Sequence, residues 1–231
     1  MKTIHIKQGY NRVNRRSFFS LIGKGVSFFG LAALSPAFKA HASSIRLGQN
    51  GLELDAWFDK IKGKHKIVFD AISANDGLQM VWTHAFLETN NQLGIPDNEL
   101  GTMVVLRNKA IVLAMEDKLW KKYKLGRFFK IIDKTTNATS ERNLYWDPKA
   151  GEMPDDGISI KALMERGVMF CVCEKAITLN SLQIAKSHGV DPLEVKKEWL
   201  AGLLPGMQPV PSGVLALERS QQRGCAYCFA G

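Results

Sequence analysis

From residue 65 onward, short runs of consecutive apolar residues alternate with stretches in which apolar positions recur every three or four residues. HKIVFDAIS (65–73), TMVVLR (102–107) and VMFCVC (168–173) are short and rich in β-branched side chains, which predicts strands buried on both faces. DGLQMVWTHAFLETNNQLG sets Leu78, Val81, Trp82, Ala85 and Phe86 at helical spacing. It predicts a helix with that face inward, capped near Asp76 and stopped at Gly94. AIVLAMEDKLWKKY is expected to turn into a helix, and SIKALMERG (159–167), AITLNSLQIAKSHG (176–189) and SGVLALERSQQRG read as helices. Another opens with Pro192 in its first turn. MQPVPS reads as a short edge strand, because its prolines remove ladder donors, and CAYCFA as the last strand.

Strands alternating with helices predict an α/β class: a single-domain open parallel sheet of about five strands with helices on both faces, layered as in flavodoxin-like folds. The domain is expected over 65–231, preceded by an entry segment over 43–64, of which 43–52 (SSIRLGQNGL) reads as flexible. The turn-rich stretch 134–157 reads as an irregular excursion.

The first 42 residues carry a different pattern. Arg15-Arg16 is followed by Ser17-Phe18-Phe19, then by an apolar stretch broken by Lys24, then by Ala40-His41-Ala42. A paired arginine, an apolar region and a small-x-small site, in that order, predict a twin-arginine export leader over 1–42, and hence a periplasmic protein. A membrane anchor is disfavoured, since a spanning helix wants about 20 apolar residues. The leader changes the charge picture. The chain has 31 Lys and Arg against 22 Asp and Glu, a net charge of +9. Seven cations (Lys2, Lys7, Arg12, Arg15, Arg16, Lys24, Lys39) and no acid lie in the leader, so the remainder carries only +2. The basic balance therefore gives no argument for nucleic acid as a partner. KLWKKYKLGR (118–127) reads as a solvated helix face.

Candidate chemistry rests on four cysteines: Cys171 and Cys173 in MFCVC, and Cys225 and Cys228 near the end of the sequence. Cys173 ends a strand just before a helix, at the edge where open α/β sheets bind ligands; unpaired N–H groups and Lys175 favour a thiolate there, while Glu174 opposes it. Cys171, two residues back, is expected on the same face and to do no more than pack. Cys225 and Cys228 have CxxC spacing but no following helix to activate them. On a regular strand, residues three apart point to opposite faces and cannot bridge. Two functional readings remain beside simple packing. Cys228 meets Cys173 as a resolving or sulfur-passing partner, or all four thiols hold a metal or cluster. There is no haem motif, P-loop or GxGxxG, and His65, His84 and His188 lack metal spacing. Ser73 and Asn75, in SANDG after the first strand, stand where a small-molecule site would form.

The stretch GVMFCVC…GVDP…LLPGMQPVPSGVLALERSQQRG, with its following strand, resembles the DsrE/DsrF-like family over 65–231. More narrowly it is similar to an exported branch, through Trp120-Lys121-Lys122-Tyr123, Pro211-Ser212-Gly213-Val214 and the CxYCxxG motif of Cys225–Gly231. The resemblance implies a DsrE-like fold, a sulfur-carrying cysteine at Cys173, a homo-oligomer and a sulfur-transfer protein partner. The expected site is thus catalytic Cys173 and Cys228, with no resident cofactor and no stable membrane anchor once the leader is cut. Two function classes follow. One is a thiol protein carrying a persulfide in periplasmic sulfur or redox metabolism; the other is a binding or assembly module without chemistry of its own.

Overall fold

In the computed structural model, which describes residues 47–155 and 157–231, helix α1 (Leu47–Phe58) leads into strand β1 (His65–Ala71), helix α2 (Leu78–Gln92) and strand β2 (Leu100–Leu106). Short helices α3 (Asp117–Tyr123) and α4 (Leu125–Phe129) follow, then a small hairpin of β3 (Ile132–Asp133) and β4 (Ala138–Thr139), and helix α5 (Ile160–Glu165). Strand β5 (Met169–Cys173) runs directly into helix α6 (Glu174–His188), followed by helix α7 (Pro192–Ala201), strand β6 (Gln208–Val210), helix α8 (Gly213–Gln222) and strand β7 (Ala226–Phe229). Residues 48–231 form one compact unit.

The sheet has the order β6-β5-β2-β1-β7, and every pair in it is parallel. The α/β class and the five parallel strands are those expected. β2 takes the centre because LGTMVVL carries no charge and only one polar side chain, Thr102, and it is buried at every position. The proline-bearing Gln208–Val210 lies at one edge, where a missing donor costs least. Alternation along the strands splits the core. Phe69, Val104, Phe170 and Val172 pack with Met80, Leu87, Trp120, Ile184 and Trp199 on one face. Val68, Met103, Val105 and Cys171 pack with Phe58, Ala216 and Cys225 on the other.

Three expectations need correction. The segment read as flexible is helical from Leu47, because Leu54, Trp57, Phe58 and Ile61 recur at helical spacing and pack on the second face. The α2 helix forms where expected but is rotated: Gln79, Met80, Thr83 and Leu87 are buried, while Leu78 and Trp82 stay 38 % exposed. Local hydrogen bonds make the polar burial tolerable, since Gln79 Nε2 donates to Ala74 O and Thr83 Oγ1 to Gln79 O. Asp76 does not cap this helix. It lies one residue before the Gly77 cap, which has no side-chain hydrogen bond.

The export leader over 1–42 and its cleavage site lie outside the described residues. No helix among the described residues is long and apolar enough to cross a membrane.

Candidate functional site

Parallel strands bring their C-terminal ends to one edge, and the loops there are stitched together by backbone hydrogen bonds. Arg107 N donates to Ala71 O, Lys109 N to Ile72 O, Ala230 N to Asp70 O and Ile72 N to Gly231 O, at 2.9–3.0 Å. Cys173 sits at this edge, as the last residue of β5 and the N-cap of α6. Its Sγ accepts the Ala176 N–H at 3.4 Å, so the thiol occupies the place of a capping oxygen, where a negative charge is favoured. It is 6 % exposed. At the strand end the chain bends into the helix, and Cys173 packs with the first core cluster while Cys171 lies in the second. The expectation that the two share a face fails there.

Beside it stands an arrangement that the sequence reading missed. Asp70, 1 % exposed inside β1, is gripped by Arg107 from the end of β2, with Nε to Oδ1 at 2.6 Å and Nη2 to Oδ2 at 2.8 Å. Tyr227 of β7 donates its hydroxyl to Asp70 Oδ2 at 2.8 Å. The hydrogen bonds to Asp70 hold the Arg107 guanidinium above its ordinary pKa against burial, and the charges of Asp70, Tyr227 and Cys173 add to the rise. Tyr227 is raised too, first by its bond to Asp70. Gly213 makes room for this fork: a Cβ there would stand 2.8 Å from Arg107 Cβ. A clue was present in the sequence, because a carboxylate within IVFDA and a cation closing TMVVLR are charges in strands that must be buried.

Cys228 does not join Cys173. The β2 and β1 strands lie between theirs, and three strand spacings of about 4.8 Å separate them by roughly 14 Å. The registers also offset them: Cys228 is level with Phe69, Val104 and Phe170, three residues short of Cys173. The shared environment expected for Cys173 and Cys228 is therefore absent, and with it a direct disulfide or direct sulfur exchange. Strand alternation was the sounder part of that reading. Cys225 lies in the second core cluster and Cys228 packs against the first. A four-cysteine metal site is overturned by the same geometry, and no cluster of three or more metal-binding side chains occurs among the described residues. Burial pushes the Cys171 thiol well up, and Cys225 is raised by burial despite Lys66 and Arg223 nearby.

At the end of β1 a cavity of about 300 Å³ opens, lined in part by Ser73, Asn75, Lys109, Lys130 and Tyr145. Ser73 and Asn75 stand where the sequence placed them. The loop that presents them turns through two left-handed residues, Asn75 (φ 41°) and Asp76 (φ 50°), residue types that adopt this conformation more readily than other non-glycine residues.

The fold and this edge define a class: an open parallel α/β sheet with a helix-capping cysteine after an inner strand. No family model matches the chain, and no curated protein matches it. Among solved structures, a protein of unknown function from Methanobacterium thermoautotrophicum is similar at 16 % identity and a TM-score of 0.38, over 72 % of this chain and 99 % of that one.

Proposed function

We propose that this is an exported, DsrE-like thiol protein that carries sulfur as a persulfide on Cys173. The observation that supports the reading best is the placement of Cys173 Sγ at the N-cap of α6, accepting the Ala176 N–H beside Arg107. In that place a thiolate, or the anion of a persulfide, gains a hydrogen bond, the helix dipole and a neighbouring cation. Loading needs a sulfane-sulfur donor such as thiosulfate. The Cys173 thiolate attacks the sulfane sulfur, the S–S bond of thiosulfate breaks, and its electron pair leaves with sulfite. Delivery is the reverse displacement: an acceptor thiolate on a partner protein attacks the terminal sulfur and the Cys173 thiolate returns. Because Cys228 is three strands away, the acceptor belongs to another molecule.

A homo-oligomer is part of the proposal. Leu179 (62 % exposed), Leu182 (42 %) and Leu193 (58 %) of α6 and α7 leave an apolar surface uncovered in one chain. Light scattering that returns the monomer mass at micromolar concentration contradicts it.

Cyanolysis tests the sulfur reading. After incubation with thiosulfate and removal of the excess, wild type and Cys228→Ser release thiocyanate and Cys173→Ser releases none. Release from Cys173→Ser equal to wild type overturns it.

A further inference from the structure

We propose that the outer surface of α3, α4 and β3 docks onto an anionic lipid bilayer. Lys121, Lys124, Arg127 and Lys130 supply the charge, and Ile132 an apolar contact. The inference does not rest on the sulfur reading.

Positive charge is concentrated in this segment. Residues 118–134 hold seven cations against one acid, Asp133, a net of +6, whereas the other residues from 47 onward hold 16 cations against 21 acids, a net of −5. A separation of that size turns the basic part of a molecule toward an anionic surface. Three of the seven cations are neutralised within the fold: Lys118 pairs with Glu116, Lys122 with Glu198 and Lys134 with Asp76. The other four recur at every third residue, are all exposed, and have no ion-pair partner among the described residues. Arg127 stands out. The other described arginines, at 107, 142, 166, 219 and 223, each hold a carboxylate. Lys124 and Arg127 also line one open hollow that has no acid in its lining, so no neighbouring carboxylate masks them.

Backbone conformation gives a second, independent sign. Lys124 and Lys130 close α3 and α4 in the left-handed region, at φ 49° and 60°. Glycine is the usual residue at such a closure, and a side chain there adds steric cost. The sequence thus keeps a lysine twice where glycine would fold more easily, which fits a charge retained for an external partner.

The side chains favour lipid over an acidic protein. Three of the four unpaired cations are lysines, hydrated point charges on flexible stems, which suit a fluid layer of phosphates better than fixed carboxylates. Ile132 is 47 % exposed between Lys130 and Lys134, and Phe128 and Phe129 are half-buried beside Arg127. Cations interleaved with apolar side chains are what a headgroup boundary takes up. Each cation near an anionic leaflet strengthens binding about fivefold.

Vesicle co-sedimentation of the purified full chain tests this, with an equal mixture of phosphatidylcholine and phosphatidylglycerol against phosphatidylcholine alone. Wild type is expected to bind the mixed vesicles at least about tenfold more tightly, and to be released at about 1 M salt, where the screening length falls to about 3 Å. Lys121→Gln, Lys124→Gln, Arg127→Gln and Lys130→Gln combined should weaken binding by at least about a hundredfold. Lys60→Gln with Lys62→Gln, which removes two exposed cations before β1, should change it by less than about twofold. The basic residues of 1–42 are common to all variants, and acetylation mapping reads the patch directly: mixed vesicles should protect Lys121, Lys124 and Lys130 but not Lys62. Lys124→Gly with Lys130→Gly should melt no lower than wild type and still bind about 25-fold more weakly, which separates charge from folding. No preference for the mixed vesicles, no protection of the three lysines, or glutamine and glycine variants that bind as wild type does would overturn the proposal. Binding to poly-L-glutamate but not to the vesicles would overturn it in favour of an acidic protein partner.

Discussion

Arg107 holds Asp70 through two parallel hydrogen bonds of 2.6 and 2.8 Å where the two inner strands β1 and β2 end. A carboxylate that is 1 % exposed survives in a sheet only with such compensation. Arg107 follows Leu106, the register partner of Val172, so the fork stands at the same strand ends as Cys173.

Arg107→Leu should therefore destabilise the fold by about 2–3 kcal/mol, because it leaves Asp70 buried with only the Tyr227 hydroxyl; the pair is partly solvated, which keeps the cost below that of a fully buried one. Arg107→Lys should recover part of this but not the fork geometry. Urea unfolding checks the order wild type, Lys, Leu. An Arg107→Leu protein as stable as wild type would show that the fork does not hold the strand ends.

The four thiols should react in an order set by burial. Cys228, partly exposed, is alkylated first in the native protein and Cys173 more slowly, while Cys171 and Cys225 resist until the chain unfolds. Mild oxidation of the native protein should give no Cys173–Cys228 cross-link within one chain, since β2 and β1 separate them. Peptide mapping of timed alkylation and oxidation reads both. A Cys173–Cys228 disulfide within one native chain would contradict the sheet order.

How much of this could be read beforehand follows from what each pattern encodes. Strand identity was legible because VVL, IVF and FCVC are local apolar runs, and helix stops were legible at Gly94, Gly167 and Gly189, all three with positive φ. Strand order was not, because register between β1 and β7 is set by packing across more than 150 residues rather than by either segment alone. The pairing of Cys228 with Cys173 failed for that reason. Cys173 itself was found through a local signal, a cysteine at a strand-to-helix junction. Tyr145 was invisible because it comes from the irregular excursion, and only the fold carries it to the start of α2.

Alkaline titration offers a probe of Tyr145. Its folded pKa, raised from 10.0 to about 12, means that the protonated phenol favours the fold. That contribution is fully present below pH 10 and is lost as pH rises toward 12. Phenolate absorbance should show a late component near pH 12 that disappears in Tyr145→Phe. Its ionisation near pH 10 would show that the ring is not held in the buried position.

Export is checked by N-terminal sequencing of protein recovered from the periplasm. Cleavage after Ala42 should give a first residue of Ser43, and replacing Arg15 and Arg16 together by lysine should stop delivery. A retained leader, or export that persists in the double variant, counts against the route.

The central claim, a sulfur atom carried on Cys173, is tested most directly by the intact mass of the protein after exposure to thiosulfate. The account predicts a gain of one sulfur atom on wild type, reversed by a thiol reductant, kept in Cys228→Ser and absent from Cys173→Ser. No gain on wild type, or the same gain on Cys173→Ser, contradicts it.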